Sequence, residues 1–233
     1  MSQPELPPQV SRSIAPRDVR NAIEHTLLAS TATPAQVDAL CDEAAAGGLF
    51  AVCVNPAFVA RCKARLAGTG VRVVTVVGFP LSSSFLEAVV LETQLAVRAG
   101  ADEIDAVLRL SAAKSGDWAL AEADARAIVQ AAGDRPVKLI LETAVLTPDE
   151  IERGCAAALT AGARFVKTST GYAGGATVEA VAQLRRCVGA LAGVKASGGI
   201  RSAEAALSML AAGADRIGTS AGAAIAAELS KNT

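Results

Sequence analysis

Two lysines stand out because each lies inside a strand-like run of apolar residues. The runs read Phe-Val-Lys-Thr-Ser-Thr-Gly around Lys167 and Gly-Val-Lys-Ala-Ser-Gly-Gly around Lys195, in a chain with 22 Lys and Arg. A buried cation costs several kcal/mol unless it is paired or neutral, and lysine, unlike arginine, can lose its proton. Two close ammonium groups repel, which favours a neutral amine on one of them. A neutral lysine attacks a carbonyl to form a Schiff base, so the pair predicts carbonyl chemistry. The alternative is structural: a lysine that reaches the strand end or pairs with Asp105 or Glu142.

A proton shuttle for such chemistry is predicted at Asp105. A weak repeat, Ala-Gly-Ala followed by an incoming strand, begins at Ala99, Ala161 and Ala212 and puts Asp105, Lys167 and Gly218 in equivalent positions. In a closed barrel, side chains at one depth converge on the axis. Strand alternation puts Glu103 on the same face as Asp105, lower in the barrel, and turns Asp102 away. A salt bridge from Asp105 to a barrel lysine is compatible with the same position.

Clusters of small residues end the last three strand-like runs and predict a phosphate site. Glycines let the backbone approach an anion, hydroxyls add donors, and a helix N-terminus attracts negative charge. Barrels often bind phosphate in the loops after strands seven and eight. The clusters are Ser169-Thr170-Gly171, Ser197-Gly198-Gly199-Ile200-Arg201 and Gly218-Thr219-Ser220. The expected ligand is a small phosphorylated carbonyl compound.

Composition argues against several other classes of protein. A formal charge of −1 gives no basic excess for nucleic acid, and no uncharged run is a good membrane span. His25 is the only histidine, which excludes a multi-histidine metal site and favours a hydrogen-bonded residue in the core or at the rim of the barrel; no metal or cofactor is expected. The odd number of cysteines, five, without a C-x-x-C pair, indicates reduced and mostly buried thiols in a cytoplasmic protein.

The elements needed to position these residues alternate regularly along the chain. Residues 1–13 are predicted to be a Pro-rich tail and residues 14–233 a single (β/α)8 barrel, with an open doubly wound sheet as the alternative. Capping boxes predict helix starts at Thr33, Ser84 and Thr147, and glycines at 100, 133, 162, 189 and 213 are predicted to close helices. The eight predicted strands are Ala22–Leu28, Leu49–Asn55, Arg72–Phe79, Glu103–Arg109, Val137–Thr143, Arg164–Thr170, Gly193–Ser197 and Asp215–Ser220.

From about Ala22 to Gly222 the sequence resembles the deoxyribose-phosphate aldolases. The motifs that carry the resemblance are Ile23-Glu24-His25-Thr26-Leu27-Leu28, Val52-Cys53-Val54-Asn55-Pro56, Val77-Gly78-Phe79-Pro80, Asp102-Glu103-Ile104-Asp105, Leu141-Glu142-Thr143, Phe165-Val166-Lys167-Thr168-Ser169-Thr170-Gly171, Val194-Lys195-Ala196-Ser197-Gly198-Gly199 and Arg216-Ile217-Gly218-Thr219-Ser220.

The resemblance implies a metal-free class I aldolase on a (β/α)8 barrel. Such enzymes reversibly cleave 2-deoxy-D-ribose 5-phosphate to D-glyceraldehyde 3-phosphate and acetaldehyde, in deoxyribonucleoside catabolism. It implies that Lys167 forms the Schiff base, Lys195 perturbs its pKa and Asp105 relays protons. It further implies that phosphate is bound by Gly171, Gly198, Gly199, Arg201, Gly218, Thr219 and Ser220.

The sequence departs from the family pattern at several positions. Glu24 stands where the first motif usually has Asp, at what we expect to be the end of the first strand, and could relay protons or contact a substrate hydroxyl. Leu81-Ser82 replace the Gly that usually follows Gly-Phe-Pro, and Arg109 stands where Asn or Pro is usual. The sequence ends at Thr233 without the Tyr that assists proton transfer in some members, so we expect that assistance to be absent. We expect these differences to affect rate and substrate range more than reaction type.

Two other functions fit parts of the same pattern. One is a barrel that binds sugar phosphates without catalysis, which Glu24 and Arg109 favour, although a binding protein has no need of a costly lysine pair. The other is a different class I aldolase or a transaldolase, but the Lys-Ala-Ser-Gly-Gly segment disfavours this alternative. Barrels of this kind commonly pair through outer helices, so a homodimer is expected.

Overall fold

The computed structural model describes residues 19–231 of the chain, and the predicted tail at residues 1–13 lies outside them. Eight parallel strands, each bonded to its neighbours in chain order, close into a barrel between β1 and β8. This confirms the predicted (β/α)8 fold and excludes the open sheet. The strands are β1 Ile23–Leu27, β2 Ala51–Val54, β3 Arg72–Val77, β4 Glu103–Val107, β5 Val137–Ile140, β6 Phe165–Lys167, β7 Gly193–Ser197 and β8 Arg216–Thr219.

All eight predicted strands form, but most are shorter than predicted at the carboxyl end. The missing residues, such as Leu141–Thr143 and Thr168–Thr170, belong to loops that collect at one end of the barrel. The helices around the barrel are α1 Pro34–Ala46, α2 Val59–Arg65, α3 Leu86–Arg98, α4 Leu110–Ser115, α5 Trp118–Ala132, α6 Pro148–Ala161, α7 Val178–Val188, α8 Ala203–Ala211 and α9 Gly222–Lys231, with 3-10 turns at Pro56–Phe58 and Thr143–Val145.

Two of the three predicted capping boxes form. Thr33 and Thr147 each accept a hydrogen bond from the backbone three residues later, and Gln36 and Glu150 bond back. The box at Ser84 is wrong: α3 begins one residue later, after an extended Phe85 that makes no side-chain cap. The glycines predicted to close helices all adopt positive φ, which a side chain would disfavour.

The main hydrophobic core lies between the barrel and the helices. Outward-facing strand residues such as Ile104, Leu139 and Ile217 pack there against buried helix residues. A much smaller apolar cluster, Ala51, Cys53, Val74 and Val76, fills the barrel interior on the side of β2 and β3. The rest of the interior is polar, because it is occupied by ionisable side chains from β1, β4, β5, β6 and β7. No helix in residues 19–231 is long and apolar enough to cross a membrane.

Candidate active site

Lys167, Lys195 and Asp105 meet in the barrel interior. The Nζ of Lys167 donates to Oδ2 of Asp105 at 2.7 Å, and the Nζ of Lys195 donates to the same oxygen at 2.6 Å. All three side chains are buried, with Lys167 3% exposed, Lys195 1% and Asp105 fully buried. The two amines are therefore held close together by one carboxylate oxygen, as the sequence predicts.

Barrel closure produces this meeting. Lys167 and Lys195 are direct register partners on β6 and β7, whereas Asp105 lies two strands away on β4. Asp102 points out of the barrel, as predicted, and accepts hydrogen bonds from Lys63 at 3.0 Å. Glu103 points inward, also as predicted, and is 2% exposed.

A third lysine, Lys138, completes the interior and was missed by the sequence reasoning. Its Nζ lies 2.6 Å from Glu103 Oε2, 3.1 Å from Asp105 Oδ1 and 3.4 Å from Glu24 Oε1, and its side chain is fully buried. The signal was present, because Lys138 lies inside the apolar strand Val-Lys-Leu-Ile just as Lys167 and Lys195 do in theirs. Three lysines and three carboxylates thus form one ionic network.

Glu24 belongs to this network, but it does not lie at the end of its strand. It is the second residue of β1, fully buried, and its carboxylate contacts the ammonium group of Lys195. Thr26, two residues further along β1, lines the cavity above, and Glu24 does not. The position of Glu24 favours control of Lys195 over direct contact with a ligand.

The ionic network shifts the pKa values of the two cavity-facing lysines in opposite directions. Burial lowers the pKa of Lys167, and the charge of Lys195 lowers it further, against the opposing effect of Asp105. Burial acts on Lys195 in the same direction, but Asp105 and Glu24 outweigh it and raise the pKa of Lys195 above its ordinary value. For Asp105, burial favours the neutral form, yet Lys138, Lys167 and Lys195 hold its pKa well below the ordinary value. Lys167 is therefore the amine most easily freed of its proton.

A cavity of about 290 Å³ opens above the two lysines at the carboxyl ends of the strands. Among its lining residues are Lys167, Lys195, Thr26 and Thr170, together with the segments 197–201 and 218–220. The predicted phosphate residues Gly199, Arg201 and Ser220 lie here and are exposed. Within residues 19–231, the backbone N–H groups of Gly199 and Ser220 have no acceptor, and α9 begins two residues after Ser220. This side of the cavity suits an anion.

The other predicted phosphate residues contribute in a different way. The hydroxyl of Thr219 donates to Ile200 O at 2.6 Å and accepts from Ala221 N, so it is engaged within the loop. A Cβ on Gly198 would come within 2.8 Å of the Gly175 backbone, and one on Gly218 within 3.0 Å of Cε of Lys195. Gly171 does not line the cavity and instead lies beside Gly198. Close packing is thus the evident reason for Gly198 and Gly218.

The remaining candidates lie away from the cavity or have ordinary structural partners. Arg109 forms an ion pair with Asp124 on α5, so it does not enter the barrel. Ser82 also does not line the cavity; it lies in the loop after β3 and has a φ of 49°.

His25 is buried and bonded through Nε2 to Glu43 at 2.8 Å, as expected of a core histidine. Glu142 does not pair with either cavity lysine and instead accepts hydrogen bonds from Thr170. All five cysteines are free thiols and four are buried, as predicted.

One group of potential metal ligands exists within residues 19–231. Ligand atoms of Glu24, Cys53 and Asp105 lie within 4.8 Å of one another. Both carboxylates are already paired with Lys195, and burial raises the pKa of Cys53 to about 11, so the thiol is protonated at neutral pH. These three residues are therefore a poor fit to a metal ion.

Comparison with known proteins agrees with the geometry. The model of the DeoC/LacD family aldolases matches residues 13–227. The chain belongs to this aldolase family. It is 50% identical over 204 residues to the deoxyribose-phosphate aldolase of Brevibacillus brevis, covering 87% of this chain and 92% of that one. It is 52% identical to that of Streptococcus pneumoniae serotype 19F, covering 87% and 93%.

A solved structure shows the same similarity. The deoxyribose phosphate aldolase of Aeropyrum pernix, described as a unique tetramer, superposes with a TM-score of 0.87 at 33% identity, covering 94% of each chain. The resemblance inferred from the motifs is thus confirmed, and the protein is an aldolase. The similarity extends across the whole barrel.

Proposed function

We propose that this aldolase reversibly cleaves 2-deoxy-D-ribose 5-phosphate to D-glyceraldehyde 3-phosphate and acetaldehyde through a Schiff base on Lys167. The observation that carries the proposal is the shared contact of two lysines with Asp105 at the base of the cavity. A binding protein gains nothing from three buried lysines, whereas a Schiff-base enzyme needs a neutral amine beside a charged one. The relatives with 50–52% identity are deoxyribose-phosphate aldolases.

The chemistry begins at the aldehyde carbon of the open-chain sugar. The neutral amine of Lys167 adds to this carbon, water leaves, and a protonated imine remains. The carboxylate of Asp105 accepts the proton of the C3 hydroxyl, the C2–C3 bond breaks, and its electron pair moves to the imine to give an enamine. D-glyceraldehyde 3-phosphate leaves. A proton returned to C2 restores the imine, and water then releases acetaldehyde and the free amine.

Asp105 is placed to serve every proton transfer. Its Oδ2 contacts both cavity lysines, and its Oδ1 contacts Lys138 at 3.1 Å. The strongly lowered pKa keeps Asp105 ionised, so its carboxylate is the proton acceptor, and it holds the ammonium of Lys195 in place as a proton donor. Lys138 and Glu24 hold these groups from below.

The phosphate group is proposed to lie against Gly199, Arg201 and Ser220, at the N-terminus of α9. The free N–H groups and the exposed guanidinium favour a dianion, and Lys167 lies within the same cavity. Arg201→Ala is expected to raise KM for the phosphorylated sugar while leaving the non-phosphorylated sugar unaffected.

The deciding experiment is reduction with borohydride in the presence of acetaldehyde, followed by peptide mapping. We expect the label on Lys167, and neither label nor turnover in Lys167→Arg, which keeps the charge but cannot form an imine. Label on Lys195 would reverse the roles of the two lysines. No label, with no acetaldehyde released from deoxyribose 5-phosphate in a coupled assay, would leave the chain a binding protein.

We further propose a cytoplasmic homodimer formed through the outer face of α3. Leu91 and Leu95 are each 51% exposed there, between Glu87 and Arg98, which are three turns apart on the same side of the helix. In an antiparallel two-fold pairing, Glu87 of one copy would meet Arg98 of the other.

The dimer is tested by light scattering during size-exclusion chromatography. Glu87→Arg and Arg98→Glu should each weaken the dimer, and the double variant should restore it. Leu191→Glu, at a leucine that is 80% exposed after α7, is the control and should change nothing. A monomeric wild-type protein, or a dimer indifferent to both charge reversals, would contradict this surface.

A further inference from the structure

Glu142 has an unusual backbone conformation at the end of β5. Its φ is 58° and its ψ is 60°, in the left-handed region, where a residue with a Cβ is strained. Among residues 19–231 only one other non-glycine residue, Ser82, has positive φ. The Glu142 side chain is 2% exposed. Such strain persists only where the surrounding structure enforces it, and it concentrates at functional sites.

The buried carboxylate of Glu142 is held by a single residue. The backbone N–H of Thr170 donates to its two oxygens at 3.3 and 3.2 Å, and the Thr170 hydroxyl donates to Oε2 as well. Within the described part of the chain Glu142 forms no ion pair, so these donors alone compensate its buried polar atoms. The conformation of Glu142 and the position of Thr170 are thus fixed together.

Thr170 connects Glu142 to the loop at the cavity mouth. It lines the cavity three residues after Lys167, and its Oγ1 accepts a hydrogen bond from Tyr172 N at 3.1 Å. The Tyr172 ring meets Phe79 edge-on at 5.7 Å. The first half of the 170–177 loop is therefore positioned through Thr170.

The second half of this loop rests on the proposed phosphate segment. Ala176 N donates to Ser197 O at 3.0 Å and to Gly198 O at 3.1 Å. Gly175 and Gly198 are in such close contact that a Cβ on Gly175 would come within 2.6 Å of Gly198 O. A shift of Thr170 would be transmitted through a short loop to the backbone beside Gly199.

We infer that Glu142 is a positioning residue that fixes the 170–177 loop so that the 197–201 segment can receive the phosphorylated end of the substrate. The inference rests on the proposed function. Glu142 touches neither Lys167 nor Asp105, so its effect falls on substrate binding rather than on imine chemistry. From its strained conformation the carboxylate of Glu142 reaches both the backbone N–H and the hydroxyl of Thr170.

The test separates the side chain of Glu142 from its backbone. Glu142→Gly keeps the positive φ at no steric cost but removes the carboxylate, whereas Glu142→Gln keeps one acceptor oxygen. We expect Glu142→Gly to raise KM for 2-deoxy-D-ribose 5-phosphate by about tenfold or more, because charge-assisted hydrogen bonds are lost. Its kcat should change by about twofold at most, and Glu142→Gln should recover part of the loss.

Two further measurements distinguish positioning from general damage. Borohydride trapping with acetaldehyde and kcat/KM for non-phosphorylated 2-deoxyribose should stay at wild-type values in Glu142→Gly. Thr170→Val, which removes only the hydroxyl, should raise the same KM, and the double variant should be no worse than Glu142→Gly alone. Glu150→Gln is the control, because Glu150 accepts hydrogen bonds from Thr147 and Lys114 at a place that is remote from the cavity.

Each outcome decides the question. An unchanged KM in Glu142→Gly, or an equal loss with both sugars, overturns the inference while normal trapping on Lys167 leaves the proposed function intact. If Glu142→Gly does not fold, Thr170→Val decides by the same comparison of the two sugars. If the wild-type enzyme itself shows no borohydride trapping with acetaldehyde, the proposed function is refuted instead.

Discussion

Replacing Lys195 by leucine tests the electrostatics of the site most directly. Lys195 and Lys167 contact the same oxygen of Asp105, at 2.6 and 2.7 Å. Two unit charges about 4 Å apart repel by about 4 kcal/mol at an effective dielectric constant of about 20. Removing Lys195 removes this repulsion and leaves Asp105 to favour the protonated form of Lys167. The pKa of Lys167 should therefore rise.

The expected effect on the rate follows from that repulsion. Each 1.36 kcal/mol changes a rate about tenfold, so imine formation at pH 7 should fall by roughly two to three orders of magnitude in Lys195→Leu. Because Lys167 loses its proton as the pH rises, the rate should recover progressively under alkaline conditions. The assay is the pH dependence of acetaldehyde release and of borohydride trapping, with the modified lysine identified by peptide mapping.

The substitution also leaves the Glu24 carboxylate buried without its closest cation. Breaking a buried ion pair from one side costs about 3–5 kcal/mol, so the free energy of unfolding should decrease by about that much. The double variant Lys195→Leu/Glu24→Leu removes both partners, so it should recover much of the stability without recovering the rate at pH 7. An unchanged pH profile in Lys195→Leu would refute the assignment of Lys195 as the group that lowers the pKa of Lys167.

Three other predictions concern the stability of the ionic network and the dependence of the reaction on metal. Lys138→Met should lower the free energy of unfolding by about 3–5 kcal/mol in chemical denaturation, because Glu103 and Asp105 lose a fully buried partner; a neutral effect would contradict the ionic network. The pKa of Asp105 lies well below its ordinary value of 3.8 in the folded protein. Its ion pairs therefore stabilise the protein above about pH 3.8, and this stabilisation is lost as the pH falls from there toward the lowered pKa. Asp105→Asn should therefore weaken the dependence of stability on acid, as measured by thermal unfolding at several pH values. Prolonged EDTA treatment should leave acetaldehyde release unchanged, and loss restored by zinc would indicate a metal-dependent aldolase.

The order and kind of the elements could be predicted from the amino-acid sequence. Runs of Val and Ile between capped helices predict alternating strands and helices, because these signals depend on nearest neighbours and on 3.6- or 2-residue periods. The placement of Lys167, Lys195 and Asp105 on strands, and of glycine and hydroxyl clusters at the strand ends, followed from the same local patterns. The Ser84 capping box failed because a local pattern of residue types does not fix which residue ends the extended chain.

Which side chains meet in the site could not be predicted without the three-dimensional fold. Asp105 and Lys195 are 90 residues apart, and Glu24 and Lys195 are 171 residues apart, so their contacts depend on the closure and register of the whole barrel. Lys138 belongs to the site because its position on β5 directs its side chain toward the barrel axis. Arg109 lies outside the site because it forms an ion pair with Asp124 on α5, outside the barrel. Gly218 resembled a phosphate ligand in the sequence, yet its lack of a side chain makes room for Lys195. These outcomes depend on distances and burial across the fold, which residue types and spacing do not contain.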